Sequence, residues 1–239
     1  MQKNMRSTYA SPLSKGYFHS ATREFADIRS ISLAAVLCAM AVVLKLFDLQ
    51  LLEVMRISLT FVPIALCSAL TGPVMALPCG IIVDIVGYVV HPTGAYLPGY
   101  TLSAILTAVI FSLFLYKAKM SFLRIALSKL FVNIFVNVFL GSVWRIFISG
   151  NFYAYYVCIA AVKNAFMLPI EVAILCLLFT SLAKPLEKMG FVGFYNTKIT
   201  KKQIILLAAV SVISAASVIL FTLYYNGIVQ SLKSALPCP

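Results

Sequence analysis

A carboxylate, an imidazole and several turn-forming residues share one short segment of an otherwise apolar chain. The segment VDIVGYVVHPTGAYLPGYTLSA, residues 83–104, contains Asp84, His91, Tyr96 and Pro98. Aromatic faces stack on flat rings, and a carboxylate can accept two hydrogen bonds from an amino-pyrimidine edge. These residue types therefore favour a binding site for a flat heterocycle.

Other polar residues of the apolar segments extend this pattern. Asn133 and Asn137 lie four residues apart, and Glu171 lies deep in a later segment. Each ionisable group at membrane depth costs about 2.5 to 3.5 kcal/mol, so such groups usually face a cavity or a partner. Basic and aromatic residues near the predicted outer ends of their segments could pair with the carboxylates of an anionic ligand. These residues are Arg56, Trp144, Arg145 and Lys163.

Each of these residues also has a purely structural interpretation. Arg56 and Lys163 could extend to the membrane interface, and Trp144 beside Arg145 could belong to an aromatic belt. Asp84 could pair with a lysine for stability. Asn133 and Asn137 could join helices by hydrogen bonds, and Glu171 favours a structural role. Their shared location on one side of the membrane is a stronger indication of a site than any single residue.

Composition identifies the solvent that surrounds these groups. The chain has 239 residues, of which 62% are hydrophobic and 11% charged, against roughly 25% charged in soluble domains. Such a chain is expected to be an all-α bundle of membrane-spanning helices, because a helix satisfies its own backbone hydrogen bonds in lipid. Seven apolar runs predict the spans, at residues 31–47, 57–70, 74–90, 99–116, 122–148, 155–182 and 204–223.

The positions of lysine and arginine predict the orientation of the bundle. Basic clusters precede the first span, separate the fourth from the fifth and follow the sixth, and all three fall on one side of the membrane. Short basic loops stay cytoplasmic, so the N-terminus is expected inside and the loop after His91 outside. Contact with anionic lipid explains most of the net charge of +12, and binding to nucleic acid is not expected.

The sequence has no recognisable catalytic or metal-binding motif. Its six cysteines have no CxxC spacing, and five of them lie in or beside apolar runs, where cysteine acts as a small hydrophobe. P-loop, HExxH and GxSxG patterns are also missing from the sequence. We therefore expect a protein that is not an enzyme and that needs neither a cofactor nor a metal.

Four segments resemble the substrate-binding S component of energy-coupling factor (ECF) vitamin transporters, and most closely its folate-specific branch. They are RISLTFVPIALCSALTGP from residue 56, DIVGYVVHPTGAYLPGYTLSAILTAVIFSLFLYK from residue 84, VNIFVNVFLGSVW from residue 132 and VKNAFMLPIE from residue 162. The resemblance covers about 150 residues. It implies a multi-pass subunit in the plasma membrane of a prokaryote that captures folate or a reduced folate at the outer face.

The resemblance also implies a mechanism and partners. Such subunits have six helices, dock on a transmembrane coupling subunit bound to two ATPases, and reorient in the membrane while the partners hydrolyse ATP. Ala35 and Ala39 of the first span have the AxxxA spacing that packs on the coupling subunit, since small residues let helices approach closely. The implied binding residues are Arg56, Asp84, His91, Tyr96, Pro98, Asn137, Trp144, Arg145 and Lys163, with the loop 91–99 as a lid.

The chain is expected to have three parts. Residues 1–30 form a polar cytoplasmic segment, residues 31–185 form the six-helix vitamin-binding domain, and residues 186–239 contain a basic linker, an additional transmembrane helix and a tail. The additional helix departs from the six-helix pattern.

Three alternatives remain open at the level of sequence. The ligand could be riboflavin, pantothenate or thiamine, although a basic rim disfavours cationic thiamine. The protein could instead be a stand-alone secondary carrier, which should show internal repeats or paired broken helices. A membrane enzyme is the third alternative.

Overall fold

A computed structural model describes residues 17–47, 49–50, 56–92, 96–118, 121–149 and 153–188. They form a helical bundle with one antiparallel pair of two-residue strands. The elements are α1 (Tyr17–Ala26), α2 (Ile28–Leu46), β1 (Leu49–Gln50), β2 (Arg56–Ile57), α3 (Phe61–Thr71), α4 (Pro73–Val90), α5 (Pro98–Leu115), α6 (Phe122–Phe131), a π-helical segment (Val132–Leu140), α7 (Gly141–Ser149) and α8 (Tyr153–Lys188).

The predicted six-helix membrane bundle is confirmed. Five helical stretches among the described residues are long and apolar enough to cross a membrane, and α3 is a shorter apolar helix. At 1.5 Å per residue, the eleven residues of α3 extend only about 16 Å, too short to cross the hydrocarbon core alone. Nine of those residues are buried, so α3 packs inside the bundle. The predicted seventh span, residues 204–223, lies outside the described residues.

The helices alternate in direction, which gives the bundle two distinct ends. The α1 end contains α1, the turn between α3 and α4, and the connection between α5 and α6. The hairpin end contains the strands β1 and β2, the connection between α4 and α5, and the connection between α7 and α8. Arg56, His91 and Tyr96 lie in the strands or in the connection between α4 and α5, whereas Asp84 lies within α4.

The fifth predicted span is one continuous helix with a wider middle section. α6, the π-helical segment and α7 follow one another without a break from residue 122 to residue 149. π-Helical turns are rare and occur frequently at functional sites. This one carries Asn133 and Asn137, two of the polar residues singled out in the sequence.

The core of the bundle packs through small and aliphatic side chains. Ala41, Ala65, Ala69, Phe111 and Leu175 are fully buried in one cluster that joins α2, α3, α5 and α8. Four buried cysteines are reduced, and the Cys67 thiol approaches that of Cys79 at 3.6 Å. This matches the expectation that cysteines of the spans act as small apolar side chains.

The N-terminal part of the chain differs in detail from the sequence expectation. Residues 1–30 were expected as a polar segment, but Tyr17–Ala26 forms α1 and the first span begins at Ile28. Asp27 separates the two helices and caps α2, since its side chain accepts a hydrogen bond from Arg29 N. Hydropathy alone missed α1 because its apolar residues occupy only part of its circumference.

Candidate functional site

Asp84 lies at the centre of a polar network near the hairpin end. It is the seventh residue from the end of α4, or about 9 Å from Val90 along the helix axis. Its Oδ2 accepts a 2.7 Å hydrogen bond from Thr101 Oγ1 of α5, and its Oδ1 lies 3.3 Å from Lys45 Nζ of α2. The side chain of Asp84 is 12% exposed, so three helices hold a carboxylate that is shielded but still accessible.

Lys45 reaches Asp84 by crossing the surface of α4 at a glycine. Its Nζ also donates a 3.3 Å hydrogen bond to the Asp84 carbonyl oxygen. A Cβ atom on Gly87 would collide with the Lys45 side chain. The glycine therefore leaves room for the lysine stem beside the ion pair.

Aromatic rings lie next to this carboxylate. The Tyr96 hydroxyl is 2.6 Å from Thr101 Oγ1, and the Tyr96 ring lies 5.1 Å from the Tyr88 ring between centroids, tilted by 56°. Tyr96 is 42% exposed. The geometry brings Asp84, Thr101 and the accessible aromatic face of Tyr96 together.

Trp144 of α7 contacts the start of α5. Its Nε1 donates a 2.9 Å hydrogen bond to Ser103 Oγ, and Ser103 Oγ also donates to the Gly99 carbonyl oxygen at 3.2 Å. A Cβ atom on Gly99 would lie 2.5 Å from the Trp144 ring, closer than packing allows. Trp144 is therefore packed into the bundle rather than serving only as a belt residue. Arg145 is partly buried, and its Nη1 is fully buried.

A second polar network continues into the bundle from the π-helical segment. Asn137 Nδ2 donates to Asn133 Oδ1 at 2.8 Å and to Asn164 Oδ1 at 3.4 Å. Asn133 Nδ2 donates to Glu171 Oε2 at 2.9 Å. The Lys129 ammonium lies 3.1 Å from Glu171 Oε1. The asparagines thus join helices as the structural interpretation expected, and the chain of contacts extends from the middle of the bundle towards the α1 end.

Lys129 is buried to an unusual degree for a charged side chain. It is 2% exposed, and its Nζ lies 3.8 Å from the centroid of the Phe61 ring. Glu171 and the Phe61 ring together compensate for the loss of water around the ammonium. Glu171 therefore has the structural role that the sequence favoured.

The remaining predicted residues are distributed around these networks. His91 and Pro98 are exposed at the hairpin end. Lys163 is partly buried and immediately precedes Asn164 of the second network. Arg56 pairs with Gln50 through the strand backbone, and its side chain lies outside the described part of the chain. Ala35 and Ala39 are both exposed on α2, as a packing surface for a partner helix requires.

Sequence reasoning missed several residues of these networks. Lys45, Thr101 and Ser103 hold Asp84 and Trp144 in place, and Lys129 and Asn164 complete the second network. Lys129 was detectable, because a lysine seven residues into an apolar span needs a carboxylate partner and Glu171 was the deepest acid in the next span. Thr101 and Ser103 carry no such signal, since hydroxyl side chains are common in membrane helices.

Comparison with known proteins gives the family. The family described as "ECF transporter, substrate-specific component" matches residues 29–179. The folate transporter FolT of Clostridium novyi (strain NT) is 33% identical over 122 residues, which cover 51% of this chain and 71% of the relative. FolT of Leuconostoc mesenteroides is 28% identical over 154 residues, which cover 62% of this chain and 83% of the relative.

The fold agrees with these sequence relationships. The crystal structure of FolT bound with folic acid superposes with a TM-score of 0.60 at 30% identity, over 65% of this chain and 95% of the other. The region matched by the family ends before the predicted seventh span. The six-helix bundle, its apolar composition and the matched 151 residues lead to one conclusion: the chain belongs to the substrate-specific components of ECF transporters.

Proposed function

We propose that this chain is the folate-binding subunit of an ECF transporter and that it binds the vitamin at the hairpin end. The observation that carries the proposal is the similarity to FolT bound with folic acid, which extends over nearly the whole length of that protein. Its two FolT relatives support the same ligand.

The chemistry of the hairpin end suits the two parts of folate. The pterin ring presents N–H groups along one edge and two flat faces. Asp84 has lone pairs left after accepting from Thr101 and Lys45, and Tyr96 and Trp144 provide aromatic surface nearby. The glutamate part is anionic and suits Arg56, Arg145 and Lys163 at the rim. Asn137, His91 and Pro98 complete the proposed contacts, and the loop 91–99 acts as a lid.

The proposed orientation places the hairpin end outside the cell. Exposed or partly buried basic residues gather at the α1 end, where Arg23, Arg29, Lys117 and Arg124 are located. Short basic segments stay cytoplasmic. The hairpin end then meets the ligand first, and the N-terminus lies in the cytoplasm.

Transport requires partners in this proposal. The exposed face of α2 that carries Ala35 and Ala39 packs on a transmembrane coupling subunit, which is bound to two ATPases. The subunit delivers folate inward by reorienting on that complex, and its partners hydrolyse the ATP.

Two measurements test the proposal. Purified protein is titrated with folate, 5-methyltetrahydrofolate, riboflavin, pantothenate and thiamine, and we expect saturable binding of the folates alone. Uptake of labelled folate is then measured in cells with and without a coexpressed coupling module, and we expect ATP-dependent uptake only with the module. Saturable binding of another vitamin would identify that vitamin as the ligand in place of folate. Uptake without the module would identify a secondary carrier.

A further inference from the structure

α1 is tied to the α1 end of the bundle along one side. Tyr17, Ala21 and Glu24 recur at helical spacing and are all buried. The Tyr17 hydroxyl donates a 2.9 Å hydrogen bond to the Ser112 carbonyl oxygen of α5. Burial raises the pKa of this hydroxyl, so it remains a hydrogen-bond donor. The Tyr17 ring also meets the Tyr116 ring edge-to-face at 5.3 Å.

An acidic side chain fastens the other end of α1. Glu24 Oε2 accepts a 2.8 Å hydrogen bond from Ser30 Oγ of α2, and Glu24 Oε1 lies 3.7 Å from Lys117 Nζ. Both charged side chains of this pair are largely shielded, at 6% and 12% exposure. α1 is therefore fixed in position on the bundle rather than attached only by its connection to α2.

A second side of α1 is apolar and unburied. Phe18 and Phe25 are seven residues apart, which places them on one side two turns from each other. They are 56% and 49% exposed, and Ile28 at the start of α2 is 76% exposed. The exposed face continues one turn further along α2 at Ile31, 43% exposed. The exposed apolar residues of α1 are thus followed in the chain by exposed apolar residues of α2, a helix long and apolar enough to cross a membrane.

The third side of α1 is polar and basic. His19 and Arg23 are exposed and lie about 130° around the helix from the two phenylalanines. Arg29 is also exposed. Glu24 is buried and pairs with Lys117, while Asp27 is partly exposed and caps α2. Arg23 and Arg29 therefore outnumber the one accessible carboxylate, and the balance of accessible charge on α1 and at the start of α2 is positive.

We propose that α1 is an in-plane membrane helix that binds the anionic lipid surface of the cytoplasmic leaflet. Phe18 and Phe25 enter the boundary between headgroups and acyl chains, as amphipathic interfacial helices do. Arg23 and Arg29 face the phosphates of anionic lipids. The contact is made by α1 and the first residues of α2, and it rests on the cytoplasmic location of the α1 end that is part of the proposed function.

The full chain in lipid nanodiscs provides the test. A Trp144→Phe background removes the native tryptophan, and Phe18→Trp, Phe25→Trp or Arg23→Trp then supplies a single reporter. Nanodiscs contain phosphatidylglycerol or phosphatidylcholine brominated near the carbonyl end of the acyl chains. Each variant is first required to purify as a single monodisperse species, and the two phenylalanine positions are independent reporters of the same side.

The expected result is a difference between the sides of the helix and between the lipids. Brominated lipid should quench tryptophan at positions 18 and 25 at least about twofold more than at position 23. Brominated phosphatidylglycerol should quench more than brominated phosphatidylcholine at equal mole fraction, and Arg23→Gln with Arg29→Gln should remove that preference.

Three results would count against the proposal. Equal quenching at positions 18, 25 and 23, together with access to aqueous iodide, would place the phenylalanines in water. Protection from both iodide and brominated lipid only after addition of a coupling module would instead identify this side as a protein interface. Equal quenching by the two lipids would refute the anionic preference.

Discussion

Thr101 Oγ1 donates to Asp84 Oδ2 at 2.7 Å, while Tyr96 places its hydroxyl 2.6 Å from the same Thr101 oxygen. One threonine thus connects the carboxylate on α4 to the aromatic ring that precedes α5. A ligand that binds Asp84 and stacks on Tyr96 would contact both hydrogen-bond partners of Thr101. The threonine is therefore the geometric link between the proposed lid and the proposed base of the site.

Replacing Asp84 should weaken folate binding. Asp84→Ala removes the acceptor for Thr101 and leaves the Lys45 ammonium without its carboxylate. We expect at least about a tenfold loss of affinity in purified protein, since hydrogen bonds to charged groups contribute about 1.5 to 3 kcal/mol. Glu24→Gln, at the other end of the bundle, is the control and should bind folate normally. Unchanged affinity of the Asp84 variant would remove this residue from the site.

A methyl group on Gly99 should displace Trp144. The Cβ of Gly99→Ala would lie 2.5 Å from the indole, so the ring must move and lose its hydrogen bond to Ser103. We expect a red-shifted tryptophan emission and weaker folate binding. Gly141→Ala is the matched control, because its Cβ would meet only Val136 O at an ordinary 3.6 Å. Native emission from the Gly99 variant would contradict the packing described here.

The sequence predicted the bundle more completely than it predicted the networks within it. Residues 74–90 and 99–116 were assigned to spans within a few residues of α4 and α5, because apolar length is a direct consequence of bilayer thickness. The sequence alone could not identify which lysine pairs with Asp84. Lys45 reaches it across Gly87 only because of how α2 packs on α4.

Local pattern also failed where the chain uses unusual geometry. The four-residue spacing of Asn133 and Asn137 predicted a shared face, and their 2.8 Å hydrogen bond confirms it. The π-helical turns that carry both residues have no comparable sequence signature. Hydropathy missed α1 for a different reason, because this helix is short and its mean hydropathy is low.

Breaking the buried ion pair should destabilise the bundle more than removing it. Glu171→Gln leaves Lys129 charged and 2% exposed without its counter-ion, which should cost about 3 to 5 kcal/mol of unfolding free energy. Lys129→Met combined with Glu171→Gln should recover much of this loss, because no isolated charge remains. Thermal unfolding in detergent compares the wild type, Glu171→Gln, Lys129→Met and the double variant. A double variant with the summed loss of both single variants would show that the pair is not coupled.

Larger side chains on the exposed face of α2 should block transport without affecting binding. Ala35→Leu and Ala39→Leu add volume where the partner helix is proposed to pack, and both positions are exposed in the isolated subunit. We expect folate affinity and Tm to remain unchanged. Uptake with the coupling module should fall at least about tenfold, because the larger side chains prevent the partner helix from packing closely on α2. Ala161→Leu, an exposed alanine on α8, serves as the control for added volume. Normal uptake by both α2 variants would exclude this face as the docking surface.

The fluorescence of Trp144 provides the most direct test of the central claim. The chain contains one tryptophan, and it lies against Gly99 and Ser103 at the proposed site. Folate should quench the emission of Trp144 in a saturable manner, whereas thiamine should leave it unchanged. A free tryptophan analogue titrated in parallel corrects for light absorbed by the ligand. Quenching that rises linearly with folate and matches the free analogue would contradict binding at the hairpin end.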